Sequence, residues 1–270
     1  MKTAILTSVE TRHRYFANTL RERLPVVAVG YEQTGYDPAL VAEHSLTAEE
    51  KRIVADHFAE RSRQEEIFFG EKSKPIESDD TCAVLDVAPG TLNSDATIDF
   101  LRSSGADTIV VYGTNLIGAA LIKRWAGRLI NMHLGLSPYY RGTATNFYPL
   151  LNEEPEYIGA TIHLIDAGID TGEILKHARP TIAADDGPHT IGCKAILAGI
   201  GAMIDVLTQL QREGRISGVP QWKVPNPHLY LRRDYHPRQV VELYKKLEGG
   251  LMARCVAKIA NGAAPPRLVD

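Results

Sequence analysis

Residues 131–173 read NMHLGLSPYYRGTATNFYPLLNEEPEYIGATIHLIDAGIDTGE. The stretch opens with Asn131-Met132-His133 directly after the apolar pair Leu129-Ile130. It closes with Ile169-Asp170-Thr171-Gly172, after a second apolar run from Ala160 to Ile165. Each apolar stretch reads as part of a buried strand, so polar groups stand at two strand ends. In an open α/β sheet, that is where ligands bind.

Upstream, Thr3–Thr7, Val26–Val29, Cys82–Val87 and Thr108–Tyr112 are further buried-strand runs. Between the first two, Arg12–Leu24 has Tyr15, Phe16, Leu20 and Leu24 on one helical face. Strand, helix, strand at this spacing predicts an α/β fold with a doubly wound, mostly parallel sheet. Asp95–Arg102 and Leu116–Trp125 are the next helices. A capping box at Thr47–Glu50 opens a helix that continues through Phe69. Gln33–Leu40 is turn-rich. A long helix spans Gly187–Gln211, and its glycines Gly192, Gly199 and Gly201 suggest close packing on a neighbour. The Gly/Pro-rich stretch 214–227 looks like a boundary. The expected organisation is a core over 1–213 and a small C-terminal extension over 214–270. In that extension, His228–Arg233 suggests a short strand and Pro237–Leu247 a helix.

An amide, an imidazole and a carboxylate meeting at one sheet edge suit acyl transfer. The amide donates to a carbonyl oxygen, the imidazole moves a proton, and the carboxylate orients and charges the imidazole. The spacing alone does not say whether His133 is base, donor or both. A metal site would have to use His133, His163, His177 and Asp170, which show no close ligand spacing. No metal is therefore expected.

These residues resemble the formyltransferase family that uses 10-formyltetrahydrofolate. The resemblance is carried by Asn131-x-His133, Leu136-Ser137-Pro138, Tyr140-Arg141-Gly142, Thr161-Ile162-His163 and Asp166-x-Gly168-Ile169-Asp170-Thr171-Gly172. It implies a Rossmann-like formyltransferase core with Asn131, His133 and Asp170 as catalytic triad and His163 beside them. It also implies 10-formyltetrahydrofolate as co-substrate. The pterin pocket would be walled by Tyr112, Gly113, Leu116 and Ile117 on one side and by Ile165, Asp166 and Gly168 on the other. Tyr139, Tyr140 and Arg141 either face the acceptor or brace their loop.

The acceptor is read from smaller signals. Family members acting on glycinamide ribonucleotide carry a Gly-rich first turn for the substrate phosphate. Here that turn is Ser8-Val9-Glu10-Thr11-Arg12-His13. Arg12, His13 and Arg14 could still meet an anion, and Arg61 or Arg63 an acceptor phosphate or carboxylate. Relatives that formylate initiator tRNA carry an added basic C-terminal barrel, whereas this chain has a net charge of −3. No nucleic-acid partner is therefore expected. A small-molecule amine, foremost an amino sugar linked to a nucleotide, is the expected acceptor. Hydroxyornithine for a siderophore is the alternative, and a hydrolase that gives the formyl group to water is another.

Neither a secretory signal nor an apolar run long enough for a bilayer is expected. Three widely spaced cysteines suggest reduced thiols and a cytoplasmic protein. Val240, Leu243, Tyr244 and Leu247 would either form a homodimer face or pack on the core.

Overall fold

A computed structural model describes residues 1–33, 46–261 and 266–270; most of the turn-rich Gln33–Leu40 stretch lies outside them. Seven strands form one sheet in the order β3-β2-β1-β4-β5-β7-β8. They are β1 (Thr3–Ser8), β2 (Val26–Glu32), β3 (Ala83–Val87), β4 (Thr108–Tyr112), β5 (Leu129–His133), β7 (Ala160–Leu164) and β8 (Ile174–Ala178). The first five pair in parallel, while β7 and β8 are antiparallel additions. The expected doubly wound α/β sheet is present, and its order reverses between β1 and β4.

Alternation along the strands sorts the faces. Ile5, Val29, Val110, Ile130, Met132 and Ile162 point to one face. It is covered by α1 (Thr11–Arg23), the C-terminal end of α2 (Ala48–Phe69) and α6 (Pro188–Glu213). Ala4, Leu6, Ala28, Ile109, Val111 and Leu129 point to the other, beneath α3 (Asp95–Ser103) and α4 (Ala119–Arg124). Asn131, His133 and His163 lie on this second face, past Leu129.

The Thr47–Glu50 capping box is formed at the start of α2. Helix α6 is the one described helix that is, by length and composition, long and apolar enough to cross a membrane. This corrects the sequence reading, which found no such run. Its apolar face is spent on β5, β7 and β8. Of its glycines, Gly199 is the tight one: a Cβ there would lie 2.9 Å from Ala160 Cβ and from Met132 Sδ. Gly192 and Gly201 face open space, so their packing explanation fails.

A third core unites residues 139–158 with α7 (Pro237–Glu248) and α8 (Leu251–Ala260). Beside it, β6 (Tyr140–Gly142) pairs with β9 (His228–Tyr230). Val240 and Leu243 are fully buried, and α7 packs on α2 and α5 (Phe147–Leu151). That face of α7 therefore contributes to the core.

Candidate active site

The sequence Leu129-Ile130-Asn131-Met132-His133 alternates, so its two polar side chains share one face of β5. Antiparallel pairing then sets His163 opposite Asn131 and Thr161 opposite His133. Because β7 runs backwards, its end lies beside the start of β5, not beside His133. The sequence reading, with both polar groups at matching strand ends, is corrected here. The loop after β7 doubles back and returns Asp170 to the β5 face.

That loop is stapled. Asp166 Oδ1 accepts from the Gly168 N–H (3.0 Å) and from the Thr171 hydroxyl (2.6 Å). A Cβ on Gly168 would fall 2.0 Å from Thr171 Oγ1, so only glycine fits. Asp170 itself is left-handed, with φ of 51°. That conformation costs an L-residue roughly 1 kcal/mol, least for Asp and Asn. It turns the carboxylate inward, where Oδ2 accepts from the Gly142 N–H at 2.9 Å and lies 3.3 Å from His133 Nδ1. Oδ1 lies 3.4 Å from His163 Nε2 and accepts from Asn131 Nδ2 at 3.4 Å. The triad and His163 thus meet around one carboxylate.

Each ring has a second anchor. His163 Nδ1 donates to the Leu164 carbonyl (2.8 Å), which leaves Nε2 to accept from Asn131 Nδ2 (3.1 Å). His133 Nε2 lies 3.0 Å from the Tyr140 carbonyl. Both nitrogens of His133 therefore face acceptors. A neutral imidazole satisfies only one of them, whereas an imidazolium satisfies both. Burial pushes the imidazole below its ordinary value, partly offset by the Asp170 carboxylate and the Tyr140 carbonyl. Burial also opposes the Asp170 charge, but His133, His163 and the Gly142 N–H outweigh it and hold the carboxyl below its usual range. At neutral pH the pair is a carboxylate beside a neutral ring whose protonated form the surroundings fit.

Asn131 donates both amide hydrogens, to His163 and Asp170. The 3.4 Å contact is the weak one, and a substrate oxygen can replace it.

The other expected residues divide. Leu116 is 73% exposed. Ile117 and Ile165 pack on the second-face core. Tyr112 does not reach the site: its ring is buried against Phe16 and His13, and its carbonyl accepts from the Thr7 hydroxyl. Gly113 (φ 73°) makes room for His13, whose Nε2 would lie 2.0 Å from a Cβ. Tyr140 turns its fully buried ring away, with its hydroxyl on Glu154, and Tyr139 reaches the Arg267 carbonyl. Both tyrosine rings brace the loop, while Arg141, close enough for its charge to act on His133, has a buried Nε without a hydrogen-bond partner. Arg12 is spent on Glu10 and Glu65, and His13 is neutral and buried. Arg63 pairs with Glu60 at the surface, and Arg61 lies 3.6 Å from Glu65.

The sequence reading missed three fasteners. Glu32, fully buried, accepts from the Asn115 backbone N–H and side-chain amide at 2.7 and 2.8 Å. Asn93 accepts from the Gly118 N–H and donates to the Leu116 carbonyl. Gln221 holds the Asp170 loop. No cluster of three or more metal-ligating side chains occurs among the described residues.

A family model described as formyl transferase matches residues 39–207. The chain belongs to the formyl transferase family. The methionyl-tRNA formyltransferase of Burkholderia pseudomallei (strain 668) is 34% identical over 128 residues, 47% of this chain and 38% of that protein. The Burkholderia thailandensis enzyme of the same name is 36% identical over 129 residues, again 38% of its length. The chain thus matches well under half the length of these curated relatives. Among solved structures, the formyltransferase PseJ from Anoxybacillus kamchatkensis was crystallised with a UDP-linked formamido sugar and tetrahydrofolate. It shares 17% identity with this formyl transferase family chain at a TM-score of 0.50, over 88% of this chain and 97% of its own. A 4-N formyltransferase from Francisella tularensis gives 0.54 at 17% identity, over 87% of this chain and 78% of its own. Phosphoribosylglycinamide formyltransferase from Anaplasma phagocytophilum gives 0.55 at 14%, over 86% and 98%. At these identities the likeness is one of fold.

Proposed function

We propose that this protein transfers a formyl group from 10-formyltetrahydrofolate to the primary amine of a small molecule, an amino sugar linked to a nucleotide. The observation that carries the transfer reading is the convergence of Asn131, His133 and His163 on the Asp170 carboxylate, within 3.4 Å. The amine nitrogen bonds to the formyl carbon, and the bond from that carbon to the folate nitrogen breaks. Negative charge gathers on the formyl oxygen, where Asn131 donates. The proton leaving the amine goes to the His133–Asp170 pair and from there to the departing nitrogen. His163 positions Asn131, and Asp170 with Tyr140 positions His133. Leu116, Ile117 and Ile165 offer the pterin an apolar wall.

The acceptor rests on two supports. Arg12 is closed off by carboxylates, which disfavours a phosphate at the first turn, the position expected for glycinamide ribonucleotide. Arg141 keeps an unsatisfied buried Nε beside His133, which a nucleotide diphosphate would satisfy. The sugar N-formyltransferases among the structural neighbours are in keeping with that acceptor. Three unpaired, buried cysteines suit a reducing cytoplasm.

The test is folate product formation from 10-formyltetrahydrofolate with a panel of amines. The panel holds amino-sugar nucleotides, hydroxyornithine, glycinamide ribonucleotide, methionyl-tRNA and a control without amine. Product with the amino-sugar nucleotides alone is expected. Product with another amine alone overturns the acceptor, and equal product without amine overturns transfer in favour of hydrolysis.

A further inference from the structure

Gln221 stands in the stretch 214–227, outside the region matched to the family and more than forty residues from Asp170 in sequence. Its side-chain Nε2 nevertheless donates to the Asp170 carbonyl at 2.7 Å and to the Gly172 carbonyl at 2.9 Å. A carboxamide nitrogen has two hydrogens, and both are used here on one loop, either side of Thr171. Gln221 is itself held in register, because Val219 bridges Ile174 in both directions at 2.8 and 2.9 Å and so adds an edge segment to β8. Gly218 packs on Glu173 in the same segment, where a Cβ would meet Glu173 Cβ at 2.5 Å.

We infer that Gln221 is a positioning residue for the reaction: it locks the left-handed conformation of Asp170 and thereby aims the carboxylate at His133. This rests on the formyl-transfer reading of the site. The physical reason is the backbone of Asp170. With φ of 51° its carboxylate faces His133 while its carbonyl accepts from Gln221. Left unbonded, that carbonyl gives the loop no reason to keep a conformation that L-residues disfavour. Relaxation to a right-handed or extended backbone swings the carboxylate off His133, His163, Asn131 and the Gly142 N–H together. Asp166 staples the loop through Gly168 and Thr171, not through the Asp170 backbone, so it does not replace the Gln221 clamp. Gln221 touches none of the reacting atoms; its effect passes through Asp170.

The test uses Gln221→Met, which keeps the length and loses the donors, and Gln221→Lys, which keeps donors. In Gln221→Met, kcat should fall about ten- to a hundredfold while KM for the folate stays within about twofold. Gln221→Lys should restore most of kcat. A second readout needs no substrate: titration of the His133 ring by nitrogen-15 NMR. Asp170 raises the His133 value, so releasing it should move the midpoint down in Gln221→Met, in the same direction as in Asp170→Asn. Unchanged kcat and midpoint in a folded Gln221→Met protein would overturn the proposal. So would a loss of kcat with an unmoved midpoint, which marks a merely structural role. If the midpoint moves but wild type transfers no formyl group to any amine, the positioning stands and the functional reading fails.

Discussion

Two buried polar clusters lie along the sheet, and the difference between them separates a structural network from a site. The first occupies the switch point between β1 and β4, where Arg12 bonds Glu65 at 2.5 Å and also bonds Glu10, with His13 packed behind. Arg61 lies beside Glu65 as well, so two cations face two carboxylates, and burial, reinforced by Arg12 and Arg61, keeps His13 neutral. The second lies on β5 and β7, where a single carboxylate, Asp170, collects two imidazoles and an amide. The first cluster is closed, since every ionised group already has its opposite. The second has room for one proton, because an added proton on His133 finds Asp170 on one side and the Tyr140 carbonyl on the other. Burial and ionisable residues are common to both, whereas capacity for a proton belongs only to the second.

Variants sharpen this contrast. The largest effect is expected from His133→Ala, which removes the proposed proton acceptor and should lower kcat about a thousandfold or more with the melting temperature kept. Steady-state kinetics beside a thermal melt checks it, and near-wild-type turnover would refute the assignment. Asn131→Ala removes the proposed donor to the formyl oxygen and should cost about a hundred- to a thousandfold in kcat. Arg12→Met tests the closed cluster. It leaves Glu65 nearly buried beside only the more distant Arg61, so unfolding in urea should report a loss of roughly 3 kcal/mol. An unchanged unfolding midpoint would show the network to be dispensable.

The smallest effect concerns acid stability. Burial pushes His57 down to about 3, and His177 and His189 to about 4. These rings stay neutral in the fold but take up protons once unfolded, at the ordinary value near 6.5. Their contribution is complete above that value. It is lost as pH falls from about 6.5 to 4 for His177 and His189, and to 3 for His57. His57→Phe, packed among Phe58, Phe147 and Tyr244, should therefore reduce the drop in melting temperature between pH 6.5 and 4 by several degrees. An equal drop in wild type and variant would refute the buried-neutral assignment.

Much of this was legible in the residue order. The parallel strands announce themselves as apolar runs, and the alternation in Leu129–His133 puts both polar side chains on one face. What local patterning could not supply is direction and distance. An apolar run such as Ala160–Leu164 has the same composition whichever way it runs, so the antiparallel turn of β7 was invisible. Tyr112 and Tyr140 illustrate a second limit: their place beside the site is visible in sequence, but strand alternation sends both rings to cores on other sides. Glu32, Asn93 and Gln221 went unnoticed because their partners, Asn115, Leu116 with Gly118, and Asp170, are brought to them only by the fold.

The most direct measurement is turnover of Asp170→Asn and Arg12→Met side by side, each checked for folding, with 10-formyltetrahydrofolate and the amine found active with wild type. Asp170→Asn keeps the shape and deletes the charge. It should lose about a thousandfold in kcat, while folded Arg12→Met stays within about threefold of wild type. The opposite outcome, a crippled Arg12→Met beside an active Asp170→Asn, would place the chemistry at the switch point and contradict the assignment of the two clusters.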